Sequence, residues 1–226
     1  MEAMLLRAEA RQLTGRVEID DAYLGGEVQS GKAGRGSPNK VPFVATVQTT
    51  ESGQPVLMWL SQRPLTKESI QGFAQKSLAA PATPVSDGLG CFKAVQGMGI
   101  VHEPHITGGG AASAKHPSFL AVNTALGHIK TSPSGSCRAF GFSKYAHHYL
   151  GQVQYLFNRR FNLRTIFDCL ARAATQAKPC GLHAIRSGEP SCESSHFMRA
   201  QLPRAANAGQ LKLQALPCLS SQSDPE

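Results

Sequence analysis

Three strand-like stretches stand in a row before the first helical period, and that order limits the possible folds more than any other feature of the chain. In Val17-Glu18-Ile19-Asp20, apolar and acidic residues alternate ahead of Gly25-Gly26, the pattern of a strand running into a turn. Two further strand patterns follow at residues 41–48 and 55–60, separated by the turn-forming Glu51-Ser52-Gly53. Together the three are expected to form an antiparallel meander. Residues 31–40, rich in Gly, Ser, Pro and Lys, suit a mobile hairpin tip rather than a core strand.

Helical and strand patterns then alternate. Thr66 is placed to cap a helix through Leu78, in which Ile70, Phe73, Ala74 and Leu78 recur at helical spacing. Pro84-Val85-Ser86-Asp87-Gly88 reads as a short buried strand ending on an acid, residues 89–98 as a helix, and residues 102–107 as a last short strand. Gly108-Gly109-Gly110 lacks the Lys-Ser/Thr ending of a phosphate-binding loop and reads as a hinge. A helix bearing Phe119, Val122, Leu126 and Ile129 comes next. Residues 144–161 form another, with Ser143 as cap and a stripe of Tyr145, Tyr149, Val153, Leu156 and Phe157, and residues 163–177 continue as a separate helix.

This order is that of an α/β, ribonuclease-H-like fold, a mixed sheet flanked by helices. The expected organisation is a helical lead-in over residues 1–16, one domain over 17–177, and a disordered tail over 178–226, where Pro, Ser, Gly and Gln dominate without periodicity.

The net charge of +8 favours an anionic partner, and its distribution says more than its sum. Between Glu103 and Asp168 there is no acidic residue, while Lys115, Lys130, Arg138, Lys144, Arg159, Arg160 and Arg164 fall inside that stretch. A field of one sign suits a phosphate backbone, so these residues are candidates for binding DNA, as is the loop at 31–40. Arg159-Arg160 can be read either as a phosphate clamp or as a pair snorkelling from an amphipathic helix. The six cysteines include no C-x-x-C pair, which signals neither a zinc ribbon nor a disulfide framework. With no apolar run long enough to span a bilayer and no charged-then-apolar leader, a cytoplasmic protein without a membrane partner is expected.

The polar residues sit at telling places in this order: Asp20 on the first strand, Asp87 at the end of the fourth, Asn123 on a later helix. Phosphoryl transfer on DNA uses two divalent ions roughly 3.5–4 Å apart, held by carboxylates. Mg2+ keeps several waters, so two aspartates and one further oxygen donor are enough protein ligation. Lys130 lies about two helical turns beyond Asn123 and on the same face, where a cation can hold phosphate beside the metals. Taken singly, Asn123 could equally be a surface amide and Lys130 a solvated charge. Asp21 should point to the opposite side of the strand from Asp20, in a turn or supporting role. His147-His148 have no spaced Cys or His partner and are read as exposed or DNA-facing rather than metal-binding.

Four segments carry a resemblance: Val17-Glu18-Ile19-Asp20-Asp21-Ala22-Tyr23-Leu24-Gly25-Gly26-Glu27, Ser86-Asp87-Gly88, Val122-Asn123-Thr124-Ala125-Leu126-Gly127-His128-Ile129-Lys130, and Tyr155-Leu156-Phe157-Asn158-Arg159-Arg160-Phe161. In them the chain resembles bacterial insertion-sequence transposases of the ISXO2-like group, within the DDE superfamily. The resemblance implies a metal-binding triad of Asp20, Asp87 and Asn123, an Asp-Asp-Asn variant, with Lys130 as the accompanying basic residue of the catalytic set. It further implies two Mg2+ ions, replaceable by Mn2+, and strand cleavage followed by strand transfer at insertion-sequence ends. Transposon-end and target DNA would be the partners; synapsis of two ends calls for a homo-oligomer on the DNA, associated with the bacterial nucleoid when so bound. Relatives carry an N-terminal zinc ribbon and helical DNA-binding segment that this chain is expected to lack, and His128 stands where the family has asparagine. The alternatives are a catalytically silent DNA-binding remnant and a ribonuclease-H-like nuclease that cleaves without joining.

Overall fold

The computed structural model describes residues 3–4, 11–25, 37, 40–108, 116–136, 142–177 and 181–187. Strands β1 (Leu13–Leu24), β2 (Val41–Thr49) and β3 (Pro55–Gln62) form the expected antiparallel meander. Helix α1 (Lys67–Ser77) then crosses over to β4 (Leu78–Ser86), which lies parallel to β1 on its other side. The two-residue β5 (Glu103–Pro104) completes a mixed sheet of order β3-β2-β1-β4-β5. This is the ribonuclease-H-like arrangement.

Strand alternation sorts the apolar side chains into two layers. Val17, Ile19, Val44, Leu57 and Ala82 face α1 and a 3-10 segment, Gly90–Met98, meeting Ile70, Phe73, Phe92 and Val95. Ala22, Leu24, Phe43, Ala45, Val47, Met58 and Val85 face the opposite way. They are covered by α2 (Leu120–Ser136) and α3 (Phe142–Phe157), through Val122, Ala125, Leu126, Ile129 and Leu150. Helices α4 (Ile166–Gln176) and α5 (Leu182–Ser187) follow.

Thr66 caps α1 as expected, its Oγ1 accepting the Ser69 N–H at 3.3 Å. Other boundaries differ from the sequence reading. β1 starts at Leu13, inside the supposed helical lead-in, because Leu13 is wholly buried in the first layer and pairs with Leu78. The helix expected at residues 89–98 spans Gly90–Met98 and is of the 3-10 kind, in a segment where Gly90, Gly97 and Gly99 lower α-helical preference. Helix α3 ends at Phe157, four residues early, as the backbone turns at 158–161. Short helix α5 falls within the stretch expected to be a tail without periodic structure. The hairpin tip at 31–36, Gly109 and Gly110 of the hinge, and residues 188–226 lie outside the described residues.

Candidate active site

The parallel pairing of β1 with β4 runs up to Ile19 opposite Ser86. Asp87, the next residue, therefore stands beside Asp20. Alternation also puts both on the sheet face covered by α2 and α3, since Ala22 and Val85, each two residues away, belong to that layer. Oxygen atoms of Asp20, Asp21 and Asp87 lie within 4.8 Å of one another, and all three residues are half-buried.

The local backbone is built to present these carboxylates. Asp20 Oδ1 accepts the N–H of Asp21 at 2.8 Å. Asp87 Oδ1 accepts the N–H of Leu89 at 3.0 Å, closing a turn of the kind aspartate favours. Gly88 takes a φ of +84° within that turn, and a Cβ there would stand 3.1 Å from Ile106 Cγ1. Only glycine suits both demands, which explains the order Ser86-Asp87-Gly88. On the far side of β4, Ser86 Oγ lies 2.8 Å from Nε2 of buried His102. Burial lowers the His102 pKa from its ordinary 6.5.

Asp21 reaches this cluster through a carboxylate oxygen, although its Cβ lies on the opposite strand face from Asp20. Alternation fixes the Cβ direction, but a carboxylate oxygen lies two bonds further out, and β4 leaves the sheet beside Asp20, so side chains of both faces can converge beyond its end. The donor set is oxygen alone, which suits a hard cation such as Mg2+. Three acidic side chains at such separations repel unless a cation joins them, so the residues fit a divalent ion.

Asn123 is half-buried in the first turn of α2, next to Val122, which is packed into the layer over the sheet. Lys130 is exposed two turns further along. The helix is anchored from below by a residue the sequence reading did not single out. Glu18 is only 1% exposed, on the same strand face as Asp20. Its Oε2 accepts the N–H of Val122 at 2.8 Å, and its Oε1 meets Arg16 Nη1 at 2.6 Å. The signal was present as an acid inside an apolar strand pattern, but alternation alone could not tell a buried acid from a solvated one.

The basic candidates separate into two groups. Lys130, Lys144 and Arg164 are exposed. Arg159 stacks on the Tyr155 ring, 3.9 Å from its centroid, and Arg160 stacks on Phe157 and Phe161. Arg160 also donates to the carbonyls of Pro55, Val56 and Phe157, and burial lowers its pKa from the ordinary value. The neighbouring Asn158 accepts the Met58 N–H at 2.8 Å and donates to the Met58 carbonyl at 2.9 Å, while Gln154 accepts the Leu60 N–H. This part of the Tyr155–Phe161 motif thus binds the outer edge of β3. Lys115 and Arg138 lie outside the described residues. His147 and His148 are half-buried with ring centroids 4.0 Å apart, less open to solvent than expected. Among the described residues, no helix is long and apolar enough to cross a membrane.

No curated protein and no solved structure matches the chain. The family model of the ISXO2-like transposase domain matches residues 12–158, a span that runs from the start of β1 to Asn158 and takes in the acidic cluster, Asn123 and Lys130. The chain belongs to the ISXO2-like transposase domain family.

Proposed function

We propose that this chain is a DDE-type DNA transposase core, of Asp-Asp-Asn variety, that cuts DNA at insertion-sequence ends and joins the freed end to a target. The observation that carries this reading is the convergence of the Asp20 and Asp87 carboxylates where β1 and β4 run side by side. Asp20 and Asp87 would hold the divalent ions, two Mg2+ or Mn2+, with the Asn123 carbonyl oxygen as a further ligand. When bound, such ions activate an attacking oxygen and stabilise a leaving one.

The chain's own residues then have distinct tasks. The turn at Gly88 and the bond from Leu89 hold the Asp87 carboxylate in one orientation. Lys130 orients the phosphate under attack, and exposed Lys144 and Arg164 contact the DNA backbone without reading sequence. Water is the first nucleophile and frees a 3′-OH, which then attacks a target phosphodiester in line. No covalent enzyme intermediate forms. Arg160, engaged with aromatic rings and the carbonyls of Pro55 and Val56, serves the sheet edge in this reading more than phosphate, and Arg159 is taken up by Tyr155 of α3. Joining two DNA ends requires at least two protomers on the DNA, and the cytoplasm and nucleoid are where such DNA would be met.

Replacing Asp87 with Ala is expected to abolish Mg2+-dependent cleavage of end-bearing DNA, by a factor on the order of a thousand or more, with DNA affinity retained. Unchanged cleavage overturns the assignment. Scoring cleavage and strand transfer separately distinguishes a transposase from a nuclease that only cuts, and absence of both with DNA binding retained identifies a silent remnant.

A further inference from the structure

We propose that Glu18 is the positioning residue of the site: it sets where α2 sits along β1, and so how far Asn123 stands from Asp20. This rests on the reading of Asp20, Asp87 and Asn123 as the metal-holding set. A carboxylate buried to 1% exposure is costly unless it is paired and hydrogen-bonded, and Glu18 uses one oxygen on each of two different elements. Oε1 meets Arg16 at 2.6 Å, and Oε2 receives the Val122 N–H at 2.8 Å. That N–H is among the first four of α2, which have no acceptor within the helix and carry its positive dipole end.

Arg16 extends the link. Besides Glu18, it donates to Thr49 Oγ1 on β2 at 3.2 Å and to the Ser118 carbonyl, just ahead of α2, at 2.9 Å. Two side chains of β1 thereby tie β2, the turn before α2 and the first turn of α2 to one point. An ion pair with one buried partner rarely stabilises more than apolar residues of the same size, but it is directional. Here the direction matters, because Glu18 lies two residues from Asp20 on the same strand face and Val122 adjoins Asn123. The shortest path from one proposed ligand to the other crosses the Glu18–Val122 hydrogen bond.

The test uses the full chain carrying Glu18→Gln or Arg16→Lys, beside Asp20→Asn and Asp87→Asn. Three quantities are measured: hydrogen exchange at the Val122 and Asn123 amides, Mn2+ affinity by electron paramagnetic resonance without DNA, and metal-dependent nicking of a supercoiled plasmid. Glu18→Gln should remain folded, speed exchange at Val122 and Asn123 while the β4 amides stay protected, and weaken Mn2+ binding about tenfold, as loss of a supporting group around a metal site typically does. Nicking should fall with it, and Arg16→Lys should shift all three the same way by less. A folded Glu18→Gln that binds Mn2+ as tightly as the parent, while the aspartate variants do not, overturns this proposal and leaves the proposed function standing. Parent-like Mn2+ binding and nicking in Asp20→Asn and Asp87→Asn overturn both. Should Glu18→Gln fail to fold, Arg16→Lys decides by the same outcomes.

Discussion

The end of β4 and the outer edge of β3 are both polar places in an otherwise apolar sheet, yet they are finished in opposite ways. At the β3 edge, donors meet acceptors: the Asn158 amide satisfies both backbone groups of Met58, Gln154 takes the Leu60 N–H, and Arg160 covers the carbonyls of Pro55 and Val56. At the end of β4, three acidic side chains meet one another. The first arrangement pairs donors with acceptors and stabilises the fold; the second gathers like charges and suits a cation. Both come from segments that look equally characteristic in the sequence, so the length of a motif does not say whether it serves folding or chemistry.

The sharpest way to break this contrast is at the acidic end. Asp87→Asn should remove metal-dependent cleavage, the largest effect expected, while raising the melting temperature measured in a chelator, because one like charge is taken from the cluster. A lower melting temperature would mean that Asp87 is chiefly structural, like the residues at β3. The edge should respond in reverse. Asn158→Ala leaves the N–H and carbonyl of Met58 without their amide partner and should cost about 2 kcal/mol in denaturant unfolding, with cleavage per folded molecule unchanged. Loss of cleavage at parental stability would place Asn158 in the chemistry instead.

The smallest effect concerns His102, which joins neither group. Its folded pKa lies below the ordinary 6.5, so the unfolded chain binds a proton more readily than the folded one. The resulting stability is present above about pH 6.5 and is lost as pH falls through the folded pKa. Melting temperature followed downward from about pH 7.5 should therefore drop more steeply for the parent than for His102→Gln, and equal slopes would remove His102 as the cause.

Much of this was legible in the residues. The meander followed from alternation and turn chemistry, the start of α1 from Thr66, and the place of Asp87 from a strand ending in Asp-Gly. Alternation also put Asp20 on a strand face, but it did not foresee that an Asp21 oxygen reaches the same cluster, because the rule follows Cβ atoms and not oxygens. Glu18 and Asn158 went unread for a different reason. Their partners, Val122 and Met58, lie about a hundred residues away in the chain, and no local pattern reports a bond of that length.

The Asn158 amide has one more consequence. A strand at the border of a sheet ordinarily offers its backbone to any extended peptide that arrives, and here the middle of that border is already taken by side chains of the same molecule. Under the proposed function, copies meeting on DNA would be steered away from merging their sheets through β3.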